Sequence, residues 1–140
     1  MAKRRIEDYP ELLAVKDRLE AGKPDELIAI FIPSHDRKDK ELTDQSVWAG
    51  QGLRLFGEMY GGATSFNNLS GIYQPEKHLK PLFDAPIMIQ SLTQASRIMD
   101  EDNLFRLADF CQNMGNKTNQ ASIGVVLNNK FIDIKMKHAE

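Results

Sequence analysis

The sequence predicts an α+β domain, a ferredoxin-like βαββαβ sandwich with an N-terminal helix and an added C-terminal strand. Two observations support this: nearly all-apolar strand segments lie near both ends of the chain, and amphipathic helical segments alternate with strands between them. The chain has 140 residues, 41% hydrophobic and 27% charged, which is ordinary for one soluble domain. We therefore expect a helix and lead-in at residues 1–24 and a single α+β domain at residues 25–140.

The first predicted elements are a helix and a buried strand. From Pro10 to Ala21 apolar residues recur at helical spacing, and Gly22 followed by Pro24 is a typical helix end. The segment Glu26 to Pro33 is apolar on both sides of the strand repeat. Such a pattern is typical of a central strand that is covered on both faces.

The middle of the chain predicts a long helix followed by a β region. Asp44 can cap a helix that runs to about Tyr60 and ends at Gly61 and Gly62. The segment Ala63 to Gln74 fits one bulged strand or a small hairpin, and the pattern does not choose between them. Residues 74–85 contain two prolines and many charges, which predicts a loop.

The last third of the chain predicts strand, helix and hairpin. Pro86 to Leu92 has strand character, and Asp100 caps a helix that extends to about Met114 with Gly115 as its stop. Ser122 to Leu127 is another nearly all-apolar strand. Two asparagines then predict a tight turn into a last strand at residues 131–134.

This fold leaves one face of its sheet in need of a cover. The two crossover helices lie on a single face, whereas the first and last main strands are apolar on both faces. The N-terminal helix, the C-terminal segment or a second subunit could cover the other face. The last arrangement would be a two-fold dimer of the α/β barrel kind, and we expect a homodimer.

Charge and aromatic patterns argue against nucleic acid and membranes as partners. Lys and Arg number 18 against 20 Asp and Glu, so the formal net charge is −2. The individual strands lack the aromatic display of RNA-binding sheets. The longest apolar run, Leu27 to Pro33, is too short to cross a bilayer as a helix. The N-terminal residues lack the apolar stretch of a secretory signal, which predicts a cytoplasmic protein.

The sequence contains three sets of residues with chemically active side chains, and none forms a complete catalytic set. Ser34, His35 and Asp36 are adjacent, but catalytic triads are assembled from separate parts of a chain, so only His35 and Asp36 remain weak candidates for moving a proton. The single cysteine, Cys111, predicts a buried structural thiol. His35, His78 and His138 show no metal-ligand spacing, so we assign no metal and no cofactor.

A more diffuse set predicts a small-ligand pocket. Neutral polar and aromatic residues recur near the ends of predicted strands and helices, where the fold brings chain segments together. These candidate ligand-binding residues are Trp48, Thr64, Tyr73, Asn119 and Gln120. Packing at the edge of the core is the alternative explanation for each of them.

Three function classes follow from these patterns. The first is a small cytoplasmic binding or accessory protein that acts through protein interaction or self-association. The second is a small enzyme of the dimeric α/β barrel type, or a small-molecule-binding protein, with a pocket at the strand ends. The third, a nucleic-acid-binding accessory protein, is disfavoured by the net charge.

Overall fold

The computed structural model describes residues 5–22, 25–74 and 80–137, without the side chains of Ile6 and Tyr73. Within these ranges a short 3-10 turn at residues 6–8 precedes four α-helices and seven strands. In chain order they are α1 (Pro10–Glu20), β1 (Glu26–Ile32), α2 (Gln45–Tyr60), β2 (Thr64–Phe66), β3 (Gly71–Tyr73), β4 (Leu82–Asp84), β5 (Ile87–Thr93), α3 (Ala95–Ile98), α4 (Glu101–Lys117), β6 (Ser122–Leu127) and β7 (Lys130–Lys135).

Five strands form the main sheet in the order β2-β5-β1-β6-β7, and every neighbouring pair is antiparallel. The first four positions have the order of a ferredoxin-like βαββαβ sandwich, in which α2 and α4 are the crossover helices. Strand β7 adds a fifth position outside β6. The predicted fold class, including the N-terminal helix and the added strand, is confirmed.

The core lies between the sheet and these helices. Ile28, Ile30 and Ile32 of β1 are fully or almost fully buried, since β1 is central and its alternate side chains point towards the helices. Phe56 of α2 and Met114 of α4 pack into the same cluster and are also fully buried. Burying each side chain of this size stabilises the fold by about 1.5–3 kcal/mol.

Residues 63–85 differ from both predicted alternatives. Strand β2 joins the main sheet at the edge of β5, whereas β3 pairs with β4 in a separate two-stranded sheet. The expected loop at 74–85 therefore contains a strand. The pattern failed here because β2, β3 and β4 have three residues each, too few for an alternation to be recognised.

Helix α4 continues past its predicted end at Gly115 and reaches Lys117. A Cβ built on Gly115 would collide with the Met136 side chain, so glycine is needed for close packing and does not end the helix. The helix ends at Thr118, whose Oγ1 donates to the Met114 carbonyl, followed by Asn119 with a φ of 55°. The structure therefore corrects the predicted stop.

The predicted cap and turn residues behave in different ways. Asp100 accepts a hydrogen bond from the Asn103 N–H at 3.0 Å and caps α4 as expected. Asp44 precedes α2, but its Oδ2 accepts the indole N–H of Trp48 at 3.0 Å and caps no backbone group. Asn128 and Asn129 have φ angles of 54° and 61° and form the predicted turn between β6 and β7.

Helix α1 has none of its residues buried. Its apolar side chains Leu12, Val15 and Leu19 are all more than half exposed. The helix therefore does not provide the cover that the sequence pattern requires for the second sheet face. No helix among the described residues is long and apolar enough to span a membrane.

We predict that Gly115→Ala lowers the free energy of unfolding by about 1–3 kcal/mol, because the added methyl group displaces Met136. Gly57→Ala is the matched control, since Gly57 lies inside α2 with open space around its Cβ position. It should gain about 0.5–1 kcal/mol from helix propensity. Urea unfolding monitored by circular dichroism measures both. Equal effects of the two substitutions would contradict the packing role of Gly115.

Candidate functional site

The sheet face that points away from α2 and α4, here called the open face, is predominantly apolar. Successive side chains of a strand point to opposite faces of the sheet. The observed register therefore places every second side chain of the five strands on this surface. Among the described residues no helix covers it, and β4 reaches only one end of it. Its apolar side chains are Leu27, Ala29, Phe31, Phe66, Met88, Leu92, Val126 and Phe131.

The centre of the open face is lower than its margins. Ala29 lies in the middle of β1 and is fully buried, because larger neighbours surround its small side chain. Gly124 on β6 leaves room for Phe131 of the neighbouring strand, whose ring atoms would stand 2.9 Å from an added Cβ. The ring of Phe131 lies 6.3 Å from that of Phe31, centroid to centroid, at an interplanar angle of 48°. These contacts create a concave aromatic surface.

A cavity of about 610 Å³ occupies one end of the open face. This open-face pocket has the size of small-molecule sites. Its floor is apolar and combines residues of four strands, β1, β4, β6 and β7, with one proline that follows β1 and one that precedes β5. The floor residues are Phe31, Pro33, Leu82, Pro86, Gly124 and Phe131.

The rim of the open-face pocket is polar and bears charges of both signs. Arg37 contributes one positive charge, and Asp84 and Asp133 contribute two carboxylates. Gln120 and Ser122 add neutral hydrogen-bonding groups. An apolar floor with a few polar groups on the rim is the usual composition of a ligand site.

Ser34 and His35 are held beside this pocket by Asp84. The Asp84 carboxylate accepts hydrogen bonds from the Ser34 N–H at 2.8 Å and from the Ser34 hydroxyl. The Ser34 Oγ also accepts the Ala85 N–H at 2.8 Å and lies 2.7 Å from His35 Nδ1. Because the only hydroxyl proton goes to Asp84, His35 Nδ1 must be the donor in that contact. Ser34 is therefore a fully bonded structural group and does not have the environment of a nucleophile.

Asp36 organises the loop that follows β1, residues 34–42. Its Oδ1 accepts the backbone N–H groups of Lys38 at 2.8 Å and Lys40 at 2.9 Å. The hydrogen bond from Lys40 is the largest cause that holds the Asp36 pKa below its ordinary value, and the Asn119 side chain contributes as well. Asp36 acts as a loop-stabilising carboxylate in this arrangement.

Asn119 and Gln120 join this loop to the start of β6. The Asn119 carbonyl accepts the Arg37 N–H at 3.0 Å. The buried Gln120 amide donates to the carbonyls of His35 at 2.8 Å and Thr118 at 3.2 Å. Four sequence-predicted candidates, His35, Asp36, Asn119 and Gln120, therefore meet at one end of the sheet, and Gln120 lines the open-face pocket.

The other three candidates lie elsewhere. Trp48 is buried between α2 and α4, where its ring contacts Phe110 edge-on at 6.1 Å. Thr64 is exposed on β2 and lines a second depression of about 330 Å³ beside Gly61 and Gly62. Tyr73 belongs to β3, but its side chain lies outside the described residues. The structure does not bring these three together.

The remaining titratable groups of interest lie outside the pocket. Burial raises the pKa of the Cys111 thiol to about 12 and that of Tyr60 to about 12. Both side chains lie between the sheet and the helices. His78 and His138 fall outside the described residues, within which no group of three metal-ligating side chains occurs.

Sequence reasoning missed most of the pocket. Asp84 lies in a segment for which the sequence predicts a loop, and Arg37 lies in a polar segment that shows no motif. Phe131 and Asp133 alternate along β7, a signal that was present but was used only to predict a strand. Gly124 gave no signal, because its role depends on a neighbour from another strand.

Comparisons with known proteins show a likeness of fold. No family model and no curated protein sequence matches the chain. A phage SAM lyase in complex with S-methyl-5'-thioadenosine is similar in structure, with a TM-score of 0.58 and 12% identity over 84% of this chain and 94% of that chain. A phage SAM lyase in its apo state is also similar in structure, with a TM-score of 0.57 and 13% identity over 85% of this chain and 94% of that chain.

A third solved structure is matched less well. The divalent ion tolerance protein CutA1 from Ehrlichia chaffeensis gives a TM-score of 0.38 and 10% identity, over 83% of this chain and 86% of that chain. At these identities the lyase structures support the ferredoxin-like fold and do not assign an activity to this chain.

We predict that protonation of Asp36 loosens the 34–42 loop at low pH. Because the folded-state pKa is lowered, this carboxylate stabilises the fold above the unfolded-state pKa of about 3.9. Its contribution is lost as the pH falls through the lower folded-state pKa. The amide resonances of Lys38 and Lys40 should therefore shift together in an NMR titration.

The matched comparison is Asp36→Asn against Asp39→Asn, which removes the same charge from the same loop. Asp36→Asn should abolish the joint titration of the Lys38 and Lys40 amides, whereas Asp39→Asn should leave it in place. A joint titration that survives in Asp36→Asn would show that another group causes it.

Proposed function

We propose that this chain is a self-associating binding protein whose copies meet through the open face. The supporting observation is that a predominantly apolar sheet surface is uncovered among the described residues. Phe131 and Leu92 on this face are 63% and 60% exposed. Contiguous apolar patches of this kind typically mark interaction sites in soluble proteins.

The size of the open face supports a second copy as its partner. Four strands of six or seven residues and the three-residue β2, about 4.8 Å apart at about 3.3 Å per residue, span roughly 450 Å². Two copies would then bury roughly 900 Å² at most, which is the size of a weak or transient interface. The charged residues Asp133 and Lys135 of this face lie on the edge strand β7, so a two-fold contact centred on Leu27 and Leu92 does not place them at its centre.

We predict that the protein sediments as an oligomer and that Leu92→Glu weakens this association by about 100-fold or more in Kd, since a glutamate would be buried without a partner. Met99→Glu is the matched control. Met99 is equally exposed, at 59%, but lies at the end of α3 and not on the open face.

Analytical ultracentrifugation over a range of concentrations measures the association of both variants. The proposal requires a wild-type oligomer, a dissociated Leu92→Glu variant and an unchanged Met99→Glu variant. A monomeric wild type, or equal behaviour of the two variants, would contradict it. Circular dichroism spectra verify that both variants are folded.

A second candidate function is the binding of a small molecule in the open-face pocket, in the class of adenosine thioethers. One observation favours this class: the phage lyase of similar fold is in complex with S-methyl-5'-thioadenosine. The aromatic floor formed by Phe31 and Phe131 suits a flat heteroaromatic ring, and the cavity is large enough for a nucleoside.

The two candidate functions are compatible in space. The pocket lies where β1 ends, near Pro33. Leu92 pairs with Leu27, at the opposite end of the same strand. A second copy centred on Leu27 and Leu92 would therefore leave the pocket at the margin of the interface. We also propose that the protein is cytoplasmic, as the sequence predicts.

We predict that S-methyl-5'-thioadenosine binds and that Phe131→Ala weakens its binding by about 3- to 10-fold, the usual value of one aromatic contact. Phe105→Ala is the control, since Phe105 has a matching exposure of 62% but lies on α4. Isothermal titration calorimetry measures the affinities. Absence of binding to the wild type, or equal losses in both variants, would contradict this function.

A further inference from the structure

The rim of the open-face pocket has an unequal charge balance. Asp84 and Asp133 face the cavity together with a single cation, Arg37, so the charged groups sum to one negative charge. No ion pair within 4 Å joins Arg37 to either carboxylate in the described part of the chain. Neither carboxylate is therefore in a close ion pair with Arg37, and the rim keeps a net negative charge.

The carboxylates are held in position by different contacts. Asp84 is half-buried, and the N–H and hydroxyl of Ser34 both donate to its Oδ1, which fixes its orientation. Asp133 is exposed on β7 and accepts the Ser122 hydroxyl at 3.4 Å. One fixed carboxylate and one on the edge strand thus border the same aromatic floor.

We infer that the open-face pocket selects ligands that carry a positive charge beside a flat ring. The ring would lie against Phe31 and Phe131, whose π-faces also attract cations. A carboxylate about 5 Å from a ligand cation in a water-exposed rim improves its affinity by about fourfold, so two carboxylates give roughly tenfold or more at low salt. Arg37 opposes part of this gain and would accept an anionic group on the same ligand.

This inference rests on the second candidate function. One pair of compounds distinguishes a failure of the charge preference from a failure of ligand binding itself. S-methyl-5'-thioadenosine is neutral at its sulfur. Its S-methylated derivative, 5'-deoxy-5'-(dimethylsulfonio)adenosine, differs by one methyl group and one fixed positive charge. Any difference in affinity therefore reports the charge preference of the pocket at nearly constant shape.

The experiment is calorimetric titration of both compounds at low and at high salt. We expect the sulfonium compound to bind about fourfold more tightly at low salt, because Arg37 offsets one of the two carboxylates, and the preference should decrease as salt is added. The double variant Asp84→Asn, Asp133→Asn should remove this preference. Its asparagines keep the side-chain oxygens that accept from Ser34 and Ser122. Asp102→Asn, on the exposed surface of α4, is the control and should retain the preference.

Each result has a distinct meaning. If neither compound binds, the proposed adenosine thioether class is wrong, and the inference is wrong with it. If both bind equally, or if the double variant retains the sulfonium preference, the ligand-binding function stands and the charge selection is overturned. Loss of the preference in Asp102→Asn would also overturn it, because the selectivity would then come from the overall charge of the protein.

Discussion

The structure depends on the burial of β1 at the centre of the sheet. This strand is hydrogen-bonded to β5 on one side and β6 on the other, and Ile28, Ile30 and Ile32 point into the core. Both crossover helices pack on that face. Because successive side chains of a strand alternate, the same constraint directs Leu27, Ala29 and Phe31 to the opposite face. The open face is thus a direct consequence of how the core is built.

The packing of β1, β6 and β7 determines the shape of the open face. Small residues at Ala29 and Gly124 lower its centre, and Phe131 crosses from the edge strand to lie above Gly124. The 34–42 loop and the segment around Asp84 close one end of the resulting depression. The proposed self-association and the proposed ligand binding would therefore use different ends of one surface, and neither would require a group from the helix-covered core.

Long periodic segments made the fold predictable from sequence. The nearly continuous apolar runs in residues 26–33 and 122–127, together with the cap and stop residues of the two crossover helices, predicted the strands and helices that build the sandwich. The three-residue strands β2, β3 and β4 were not predictable, since their pairing partners are set by tertiary contacts. Gly115 was misassigned because a glycine needed for contact with Met136 looks the same in sequence as a helix stop.

The candidate site was predictable only in part. Residues next to one another in sequence, such as His35 with Asp36 and Asn119 with Gln120, were singled out, and the fold brings these pairs together. The floor and rim of the pocket could not be found in this way. Phe31 and Phe131 become neighbours only when β1, β6 and β7 align. Strands β1 and β7 each contribute one aromatic residue, so the pair is not visible when each strand is considered alone.

The central claim is that the open face is the working surface of the molecule. Methyl NMR spectra of isotope-labelled protein, recorded over a dilution series, test it directly. The claim predicts concentration-dependent shifts for the methyl groups of Leu27, Leu92 and Val126, with no change for Val47 and Leu53 on the outer side of α2. Shifts confined to Val47 and Leu53, or the absence of any shift, would contradict it.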